Sequence, residues 1–267
     1  MASILNNIAS LQATRNLSLS ETGLNKTIAR LSTGERINQA SDDAAGLQIS
    51  NNLRADIRIL FQARRNANDG NGRIAIAEGV MQEAVNLLTR AAELAEQAAS
   101  GTTTSAGRAA LNQEYTEIKA ALTALDSDTR FDQAEVFESS FSVRVGELAS
   151  EVITVSTQAI DATTLGVTGD LVTSNNASNE LAAISTAISL ISEARGRLGA
   201  KSQRLNTLIN SIGISAENIQ AAESQIRDAD VASEVVNLTK YQILNQTGVS
   251  ALAQANQSSQ AVLSLLQ

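Results

Sequence analysis

The stretch that decides the fold is "IAIAEGVMQEAVNLLTRAAELAEQA", residues 74–98. Its apolar residues recur at alternating steps of three and four, the spacing of a helix that buries one narrow stripe. These residues are Ile74, Ala77, Met81, Ala84, Leu88, Ala91, Ala95 and Ala98. The many alanines predict a helix that approaches its neighbours closely, because thin side chains permit short distances between helix axes.

The same phase continues towards the amino terminus in steps of seven, through Ala67, Leu60 and Leu53. It crosses "NANDGNG", residues 66–72, whose composition is typical of a turn. A turn normally shifts the phase, and here the phase is kept. The pattern therefore predicts one continuous helix from about Asp42 to Ala99, with Ser41 as its N-cap.

Two further segments have matching stripes. Leu111 to Leu125 step by three and four, and so do the apolar residues from Leu181 to Ile226, with a polar interruption at Glu223. Between them, alternating residues predict a β-hairpin at about 137–160, and the Ser-, Thr- and Asn-rich stretch 156–179 predicts a surface loop. The predicted fold class is mainly α: a long antiparallel helical bundle or coiled coil with a small β-hairpin.

Both ends of the chain have helical spacing, but from Tyr241 to Gln267 no side chain is charged. A helix in water normally carries charges on its outer face, so this segment is expected to be buried against other helices. Neither end has enough large apolar groups to offset its ordering entropy alone. We expect both ends to be weakly structured in the monomer and to fold together on assembly. The predicted assembly residues are Ile4, Ile8, Leu11, Leu24, Ile28, Leu31, Val235, Leu238, Leu252, Asn256, Leu263 and Leu266.

The composition argues against several classes of function. The net charge is −8, which opposes binding to nucleic acid or to an anionic membrane surface. The chain has no His and no Cys, so the usual zinc sites, Ser-His-Asp triads and disulfides have no ligands or partners. No apolar run is long enough to span a membrane, and the amino terminus does not have the pattern of a cleaved secretory signal. We predict a protein that is not an enzyme, with no catalytic, cofactor-binding or metal-binding residues and no cofactor.

Three motifs could suggest chemistry, and each has a simpler explanation. "GNGRIA", residues 70–75, fits a relaxed dinucleotide-binding pattern, but that pattern needs a preceding strand and here follows helical sequence. Asp42 and Asp43 are expected to complement the dipole in a first helical turn. The arginines of the stretch 54–65 predict a solvated helix face, since no aromatic residue is placed for stacking on a base.

Two long segments carry a family resemblance. "RLSTGERINQASDDAAGLQIS", residues 30–50, followed by "QARRNANDG", residues 62–70, closely resembles the amino-terminal signature of bacterial flagellins. Residues 226–266, which contain "LAQANQ" at 252–257, resemble the flagellin carboxy-terminal signature. Because each signature lies at the correct end of the chain, the sequence is identified as similar to flagellins.

The resemblance implies a subunit that polymerises into the flagellar filament. Residues 1–33 with 227–267 are then expected to form an inner coiled-coil domain, residues 34–46 a connector, and residues 47–226 an outer helical domain without inserted decorative domains. It also implies an extracellular location, export through the flagellar type III apparatus without a cleaved signal, and four kinds of partner: its own copies, an export chaperone, a cap and hook-junction proteins. The chain departs from the usual family pattern at Ile59 to Phe61 and at Asn71 and Gly72, where packing between subunits is expected to differ.

Flagellins are also recognised by a vertebrate innate receptor, and the positions that match this face are Arg90, Leu94 and Glu114. Thr89, Ala92 and Glu96 differ from the best-recognised pattern, so weakened recognition is expected. The alternative, that these residues serve contacts between subunits, stays open.

Two other functions remain as alternatives to a filament subunit. A hook-filament junction protein is similar to flagellin at both ends, but such proteins usually depart from the "LAQANQ" run found here. A cytoplasmic helical signalling protein, from a different class, could also have long coiled-coil stripes. It would not need a charge-free carboxy-terminal segment.

Overall fold

The computed structural model describes residues 7–137, 140–146 and 150–264, with side chains up to residue 258. Five helices make up most of it: α1 (Ile8–Thr33), α2 (Ala44–Ala99), α3 (Ser105–Asp128), α4 (Ser174–Arg227) and α5 (Val231–Ser264). Four short strands, β1 (Arg130–Phe131), β2 (Ala134–Glu135), β3 (Phe141–Arg144) and β4 (Val152–Val155), form two antiparallel pairs. The predicted fold class is confirmed.

The chain divides into two compact units. Unit 1 consists of Met1–Ala55 and Asn218–Gln267, and unit 2 consists of Asp56–Glu217. Helices α2 and α4 contribute to both units. These boundaries place residues 47–55 and 218–226 with the terminal helices, whereas the sequence assigned them to the outer domain.

Helix α2 runs without a break through "NANDGNG", as the unbroken phase predicted. Its N-cap, however, is Asp43 and not Ser41: the backbone N–H of Gly46 donates to Asp43 Oδ1 at 2.9 Å. Neither Asp42 nor Asp43 lies in the first helical turn, because the helix begins at Ala44. Asp43 immediately precedes the helix, so its short side chain reaches the third helical N–H.

The core of unit 2 is the stripe predicted on α2, packed against α3 and α4. All eight stripe residues between Ile74 and Ala98 are buried, as are Leu122 of α3 and Leu205 of α4. Helix α4 is antiparallel to α2, because Ser174 Oγ donates to the carbonyl of Ala99 at 2.7 Å while Asn71 Nδ2 donates to Asn206 Oδ1 at 2.8 Å. The core is therefore continuous along the helices.

The Ser-, Thr- and Asn-rich stretch 156–179 was predicted to be a surface loop, and the structure corrects this prediction in two respects. Residues 174–179 belong to α4, and the preceding loop turns four apolar side chains, Ile160, Leu165, Val167 and Leu171, into the core of unit 2. The buried residues of this loop are Ile160, Ala162, Leu165, Val167 and Leu171. The polar residues between them concealed this pattern, because an irregular segment buries side chains without a regular period.

The predicted hairpin is present as β3 and β4, which pair Phe141 with Val155 and Arg144 with Val152. The middle of its connection, residues 147–149, lies outside the described residues. The shorter pair β1 and β2 was not predicted. Its two-residue turn places Asp132 and Gln133 at φ 49° and 65°, a conformation that sequence signals associate with Asn-Gly or Asp-Gly.

In unit 1, α1 ends as predicted at Gly34. This residue has φ 72°, and its N–H donates to the carbonyl of Arg30 at 2.8 Å. The left-handed conformation suits glycine because no Cβ is present to clash. The chain then leads through residues 35–43 to α2.

Candidate assembly surface

Helices α1 and α5 of unit 1 contact each other along a narrow stripe with coiled-coil spacing. The less exposed side chains of α1 include Ser10, Ala13, Leu17, Ser20, Leu24, Thr27 and Leu31. Those of α5 include Glu234, Leu238, Tyr241, Asn245, Gly248, Leu252 and Ala255. Both sets step by three and four residues, but most of their members are small or polar. The pairing therefore buries little apolar area.

Two large-to-small pairs set the register of this stripe. A Cβ on Gly23 would lie 2.5 Å from Tyr241 Cε1, so the Tyr241 ring occupies the space that any other side chain would need. In the opposite sense, a Cβ on Gly248 would lie 3.2 Å from Leu17 Cδ1. Each large side chain thus faces a glycine, and a shift of one helix along the other would separate both pairs.

Polar contacts join both ends of the stripe. Asn7 Nδ2 donates to the carbonyl of Ala255, and Ser10 Oγ donates to Asn256 Oδ1, both at 3.0 Å. At the other end, Arg30 Nη1 lies 3.1 Å from Glu234 Oε1. Because Glu234 is buried, this ion pair is shielded from water more than a surface pair would be.

Large apolar side chains lie outside the stripe, on surfaces that nothing covers in a single copy. The most exposed is Leu11, at 74%. Among the side chains that the structure describes, this set consists of Ile8, Leu11, Leu19 and Ile28 on α1 and Val231, Val235, Val236, Ile243, Leu244 and Val249 on α5. Scattered exposed apolar residues are ordinary, but ten of them on two paired helices form an extensive uncovered apolar surface.

The assembly residues predicted from sequence fall into two groups. Leu24, Leu31, Leu238 and Leu252 are half-buried in the α1–α5 stripe, and Asn256 contacts Ser10 across it. Ile8, Leu11, Ile28 and Val235 are exposed outside it. Ile4 and Leu266 lie outside the described residues, and Leu263 lies in α5 beyond the described side chains.

Sequence reasoning missed the small members of the stripe. Gly23, Thr27 and Gly248 were not predicted, because a search for large apolar residues passes over them. The three-four spacing itself continues through Ser10, Ala13, Leu17 and Ser20. A search for that spacing without regard to side-chain size would have found them.

The connector predicted at 34–46 is held by backbone hydrogen bonds within unit 1. The N–H of Arg36 donates to the carbonyl of Arg227 at 2.6 Å, and the N–H of Ala229 donates to the carbonyl of Gly34 at 2.9 Å. Ile37 is buried beneath Gly46, where a Cβ would come within 2.8 Å of Ile37 Cδ1. The polar residues 34–46 are therefore fixed in place by backbone hydrogen bonds and by the packing of Ile37.

Glu35 is the centre of a charge network in the same segment. Its carboxylate lies 2.7 Å from Arg54 Nη2 and 2.8 Å from Arg227 Nη2. Glu223, which is buried, accepts from Arg54 Nε at 2.9 Å and from Ser50 Oγ at 3.0 Å. Burial opposes ionisation of Glu35, but the hydrogen bonds from Arg227 and Arg54 outweigh it, so the pKa of Glu35 is lowered.

Asp42 is held by a separate cation. The Lys26 ammonium, 2.6 Å from Asp42 Oδ1, lowers the pKa of that carboxyl, and the backbone N–H groups of Gln39 and Asn38 add to the effect. The side chain thus fastens the loop before α2 to α1.

The three positions that match the receptor face are in unit 2. Arg90 bridges Glu93 at 2.9 Å and Glu114 at 2.8 Å, so the structure brings Arg90 and Glu114 together at the surface. Leu94 is only 1% exposed and belongs to the core. Its side chain is therefore not available for a surface contact in this conformation.

The structure shows no chemical role for the motif that fits a dinucleotide-binding pattern. "GNGRIA" lies in the interior of α2, where no strand precedes it. Within the described ranges, no group of three or more acidic side chains could hold a metal ion. Across those same ranges, no helix is long and apolar enough to cross a membrane.

Comparison with known proteins found similarity along nearly the whole chain. Residues 4–142 match the family model described as the bacterial flagellin N-terminal helical region, and residues 181–266 match the bacterial flagellin C-terminal helical region. A flagellin of Halalkalibacterium halodurans is 37% identical over 98% of this chain and 99% of its own length. A flagellar filament 33 kDa core protein of Treponema phagedenis is 36% identical with the same two coverages. Among solved structures, Bacillus cereus flagellin has a TM-score of 0.51 at 25% identity, over 60% of this chain and 94% of that chain.

Proposed function

Because the chain belongs to the bacterial flagellin family, we propose that it is a structural subunit that polymerises with its own copies into the flagellar filament. The observation that carries this proposal is the uncovered apolar surface of α1 and α5. The α1–α5 stripe leaves that surface to solvent, and other copies of the same two helices can cover it.

The energetics favour this use of the surface. Burying one side chain of Leu or Val size contributes about 1.5–3 kcal/mol. Ten such side chains are exposed among the described residues of the two helices, so covering half of them contributes roughly 7–15 kcal/mol, the same order as an association cost of roughly 4–15 kcal/mol. Contacts to several neighbours in a filament bury more of this surface than one partner could.

The charge-free segment supports the same conclusion. From Tyr241 to Gln267 the chain offers only apolar groups, hydroxyls, carboxamides and one phenol to its neighbours. Copies of such a helix can pack closely without burying an unpaired ion, whose desolvation would cost several kcal/mol. The segment therefore suits the dense interior of a helical polymer.

The finer assignments rest on family membership. We propose that residues 1–33 and 227–267 form the inner coiled coil, that 34–46 connect it to the outer domain 47–226, and that both ends fold on assembly. Export without a cleaved signal, an export chaperone, a cap and hook-junction proteins are proposed in the same way. Recognition by a vertebrate innate receptor stays a prediction that depends on Arg90 and Glu114.

The competing functions are less well supported. Flagellins are structural proteins, which fits a chain without His or Cys. Relatives named as flagellins and filament core proteins match it from end to end, which favours a filament subunit over a junction protein or a cytoplasmic signalling protein.

The test removes residues 253–267 and measures filament formation. We expect the truncated chain to form no filaments, as measured by sedimentation and electron microscopy, while the helical signal of unit 2 is retained. Two Leu variants provide a sharper comparison. Leu11→Gln changes an uncovered side chain and is expected to block filaments without changing the monomer, whereas Leu17→Gln, in the α1–α5 stripe, is expected to weaken the pairing of α1 with α5 within each copy. Filaments of normal length from both the truncated chain and Leu11→Gln would contradict the proposal.

A further inference from the structure

Asn71 and Gly72 form the only Asn-Gly pair of the chain, and they lie in the interior of α2. An asparagine can react spontaneously with the backbone nitrogen of the residue that follows it. Glycine has no Cβ, so it leaves this approach open, whereas the residues that follow the other asparagines hinder it with their side chains. Asn71 is therefore the most reactive asparagine of the chain whenever its backbone is free to move.

Neither the backbone nor the packing of α2 requires glycine at position 72. Its φ is not positive, and nothing lies within 4 Å of the Cβ that another residue would add there. Gly70 is different, because a Cβ at that position would lie 2.7 Å from Val143 Cγ2. Gly72 can therefore be replaced by alanine without a clash, which makes the reactivity of Asn71 separable from the fold.

The folded helix holds the reacting atoms apart. Inside an α-helix each N–H donates to the carbonyl four residues earlier, so the nitrogen of Gly72 is engaged and keeps its proton. The helical ψ of about −42° also turns this nitrogen out of the plane in which a five-membered ring with Cγ of Asn71 could close. Reaction in the folded chain therefore requires α2 to open first.

The carboxamide of Asn71 is fixed as well. Its Nδ2 donates to Asn206 Oδ1 of α4 at 2.8 Å, and the side chain is half-buried. Its Oδ1 is shielded from solvent and accepts no hydrogen bond within the described residues. Negative charge develops on this oxygen when a nucleophile adds to Cγ, and no donor is placed there to stabilise it.

We propose that Asn71 is a deamidation site controlled by the folding of α2: the unfolded chain reacts there, whereas the folded helix suppresses the reaction. The Gly72 nitrogen loses its proton to hydroxide and bonds to Cγ of Asn71. The C–N bond of the carboxamide breaks, and its nitrogen takes up a proton and leaves as ammonia. Water then opens the resulting succinimide, so the net reaction is hydrolysis of a carboxamide to a carboxylate and ammonia.

The two products of ring opening affect the fold differently. Opening at Cγ restores the ordinary peptide bond and leaves aspartate, which can accept a hydrogen bond from the carboxamide of Asn206. Opening at the main-chain carbonyl gives an isoaspartyl linkage, which passes the backbone through Cβ and adds a methylene to it. Ala67 and Ile74, on either side of this point, are buried in the same core, so a change of spacing cannot be absorbed.

The test compares the full chain in native buffer with the same chain in guanidinium chloride, at one mildly alkaline pH and one temperature. Deamidation is measured by peptide mapping with mass spectrometry. We expect Asn71 to react at least about a hundredfold faster in the unfolded chain, because the folded helix reacts only through rare opening. Asn86, in the same helix and followed by Leu87, is the internal control and is expected to stay largely unchanged in both states.

Two glycine variants test the role of Gly72. In guanidinium chloride, Gly72→Ala is expected to slow the reaction of Asn71 at least about tenfold, because the added Cβ hinders the attacking nitrogen. Gly79→Ala is the matched control, since Gly79 is also a glycine of α2 with nothing within 4 Å of a Cβ, but it follows Glu78. It is expected to leave the rate at Asn71 unchanged.

The products are then refolded and compared. We expect the isoaspartyl form, identified by enzymatic methylation with an isoaspartyl methyltransferase, to unfold at least about 6 °C lower than the unchanged chain, as for other breaks in a helix interior. The Asn71→Asp variant has the aspartyl product's sequence and is expected to unfold within about 2 °C of the unchanged chain.

Each measurement can overturn the inference without filaments being formed, so its failure leaves the proposed function untouched. Equal rates at Asn71 in the folded and unfolded chains would overturn control by folding. An unfolded chain in which Asn71 reacts no faster than Asn86, or as fast after Gly72→Ala, would overturn the assignment of the site. An isoaspartyl form that unfolds at the same temperature as the unchanged chain would overturn the effect on α2.

Discussion

The helices of the two units pack against one another through different kinds of side chain. In unit 2, the facing stripes of α2, α3 and α4 are mainly apolar and buried, with Glu180 as a buried polar member. In unit 1, the stripe between α1 and α5 is made largely of small and polar residues, and the large apolar groups point elsewhere. Unit 2 therefore buries its large apolar side chains within one copy, whereas unit 1 leaves many of them exposed, where other copies can cover them.

The largest test of this contrast is a pair of identical substitutions. Leu88→Ala in the core of unit 2 is expected to lower the free energy of unfolding by about 3 kcal/mol, because it leaves a cavity. Leu11→Ala on the exposed face of α1 is expected to change it by less than about 0.5 kcal/mol. Urea unfolding of the monomer, followed by helical signal, measures both. Equal losses would show that α1 already has a core of its own.

A second test uses the two tyrosines, one in each unit. Tyr115 is buried and donates a hydrogen bond to the buried carboxylate of Glu180, which also accepts from the N–H of Gly169 at 3.1 Å. Burial, together with this bond, raises the pKa of Tyr115, so it stays a donor at all ordinary pH values. Tyr115→Phe leaves Glu180 without that donor and is expected to cost about 2 kcal/mol.

Tyr241→Phe is the matched control, because the Tyr241 hydroxyl makes no hydrogen bond in the described parts of the chain. We expect it to change the free energy of unfolding by less than about 0.5 kcal/mol. The urea midpoint at neutral pH measures both variants. If both variants lost the same free energy of unfolding, the buried hydrogen bond of Tyr115 would contribute no more to stability than the unbonded hydroxyl of Tyr241.

A third test compares two helical glycines. Nothing lies within 4 Å of a Cβ on Gly72 in unit 2, so Gly72→Ala is expected to stabilise α2 by about 0.5–1 kcal/mol. Gly23→Ala gains the same helix propensity but displaces the Tyr241 ring, and we expect hydrogen exchange of the α1 amides to rise about fivefold. Slower exchange after Gly23→Ala would mean that the ring contact does not set the register.

The smallest expected effect is a dependence on pH confined to unit 1. The pKa of Glu35 is lowered in the folded state, so its contribution is complete above its ordinary value of 4.5 and is lost as the pH falls through the lowered value. We expect the protection factor of the amide of Arg36, bonded to Arg227, to fall as the pH drops below the ordinary Glu pKa of 4.5 and through the lowered value. Because Arg54 is partly exposed, screening by solvent limits the effect.

Glu35→Gln is expected to remove this dependence, since the amide cannot change its charge over that range. Glu21→Gln, on the exposed side of α1, is the control and is expected to preserve it. The measurement is amide exchange followed from neutral to acidic pH. Unchanged dependence in Glu35→Gln would show that another carboxylate of unit 1, such as Asp42 beside Lys26, causes it.

Much of the fold could be predicted from the sequence because long helices repeat one geometry. The period of α2 fixed both its face and its passage through "NANDGNG", and the cap at Gly34 followed from its position after the last apolar residue. The failures came where no period exists. The burial of Leu171 depends on contacts with distant residues, and the turn at Asp132 and Gln133 lacks the Asn-Gly or Asp-Gly signal, so local sequence records neither.

The candidate surface divides in the same way. The sequence identified Leu11 and Leu24 as similar assembly residues, since both are apolar residues at helical spacing. The structure separates them, with Leu24 in the α1–α5 stripe and Leu11 uncovered. Matching residues by sequence does not show whether a side chain is exposed. Leu94 matches a position of the receptor face, but its side chain is buried in the core.

By itself, the sequence determined the helical class, the three stripes, the charge-free carboxy-terminal segment and the family. These properties depend on composition and on spacing along one chain. Only the tertiary structure decided which large side chains pair within a copy and which remain for partners. That choice depends on where glycines such as Gly23 and Gly248 let two helices approach, which is a property of facing surfaces and not of either helix alone.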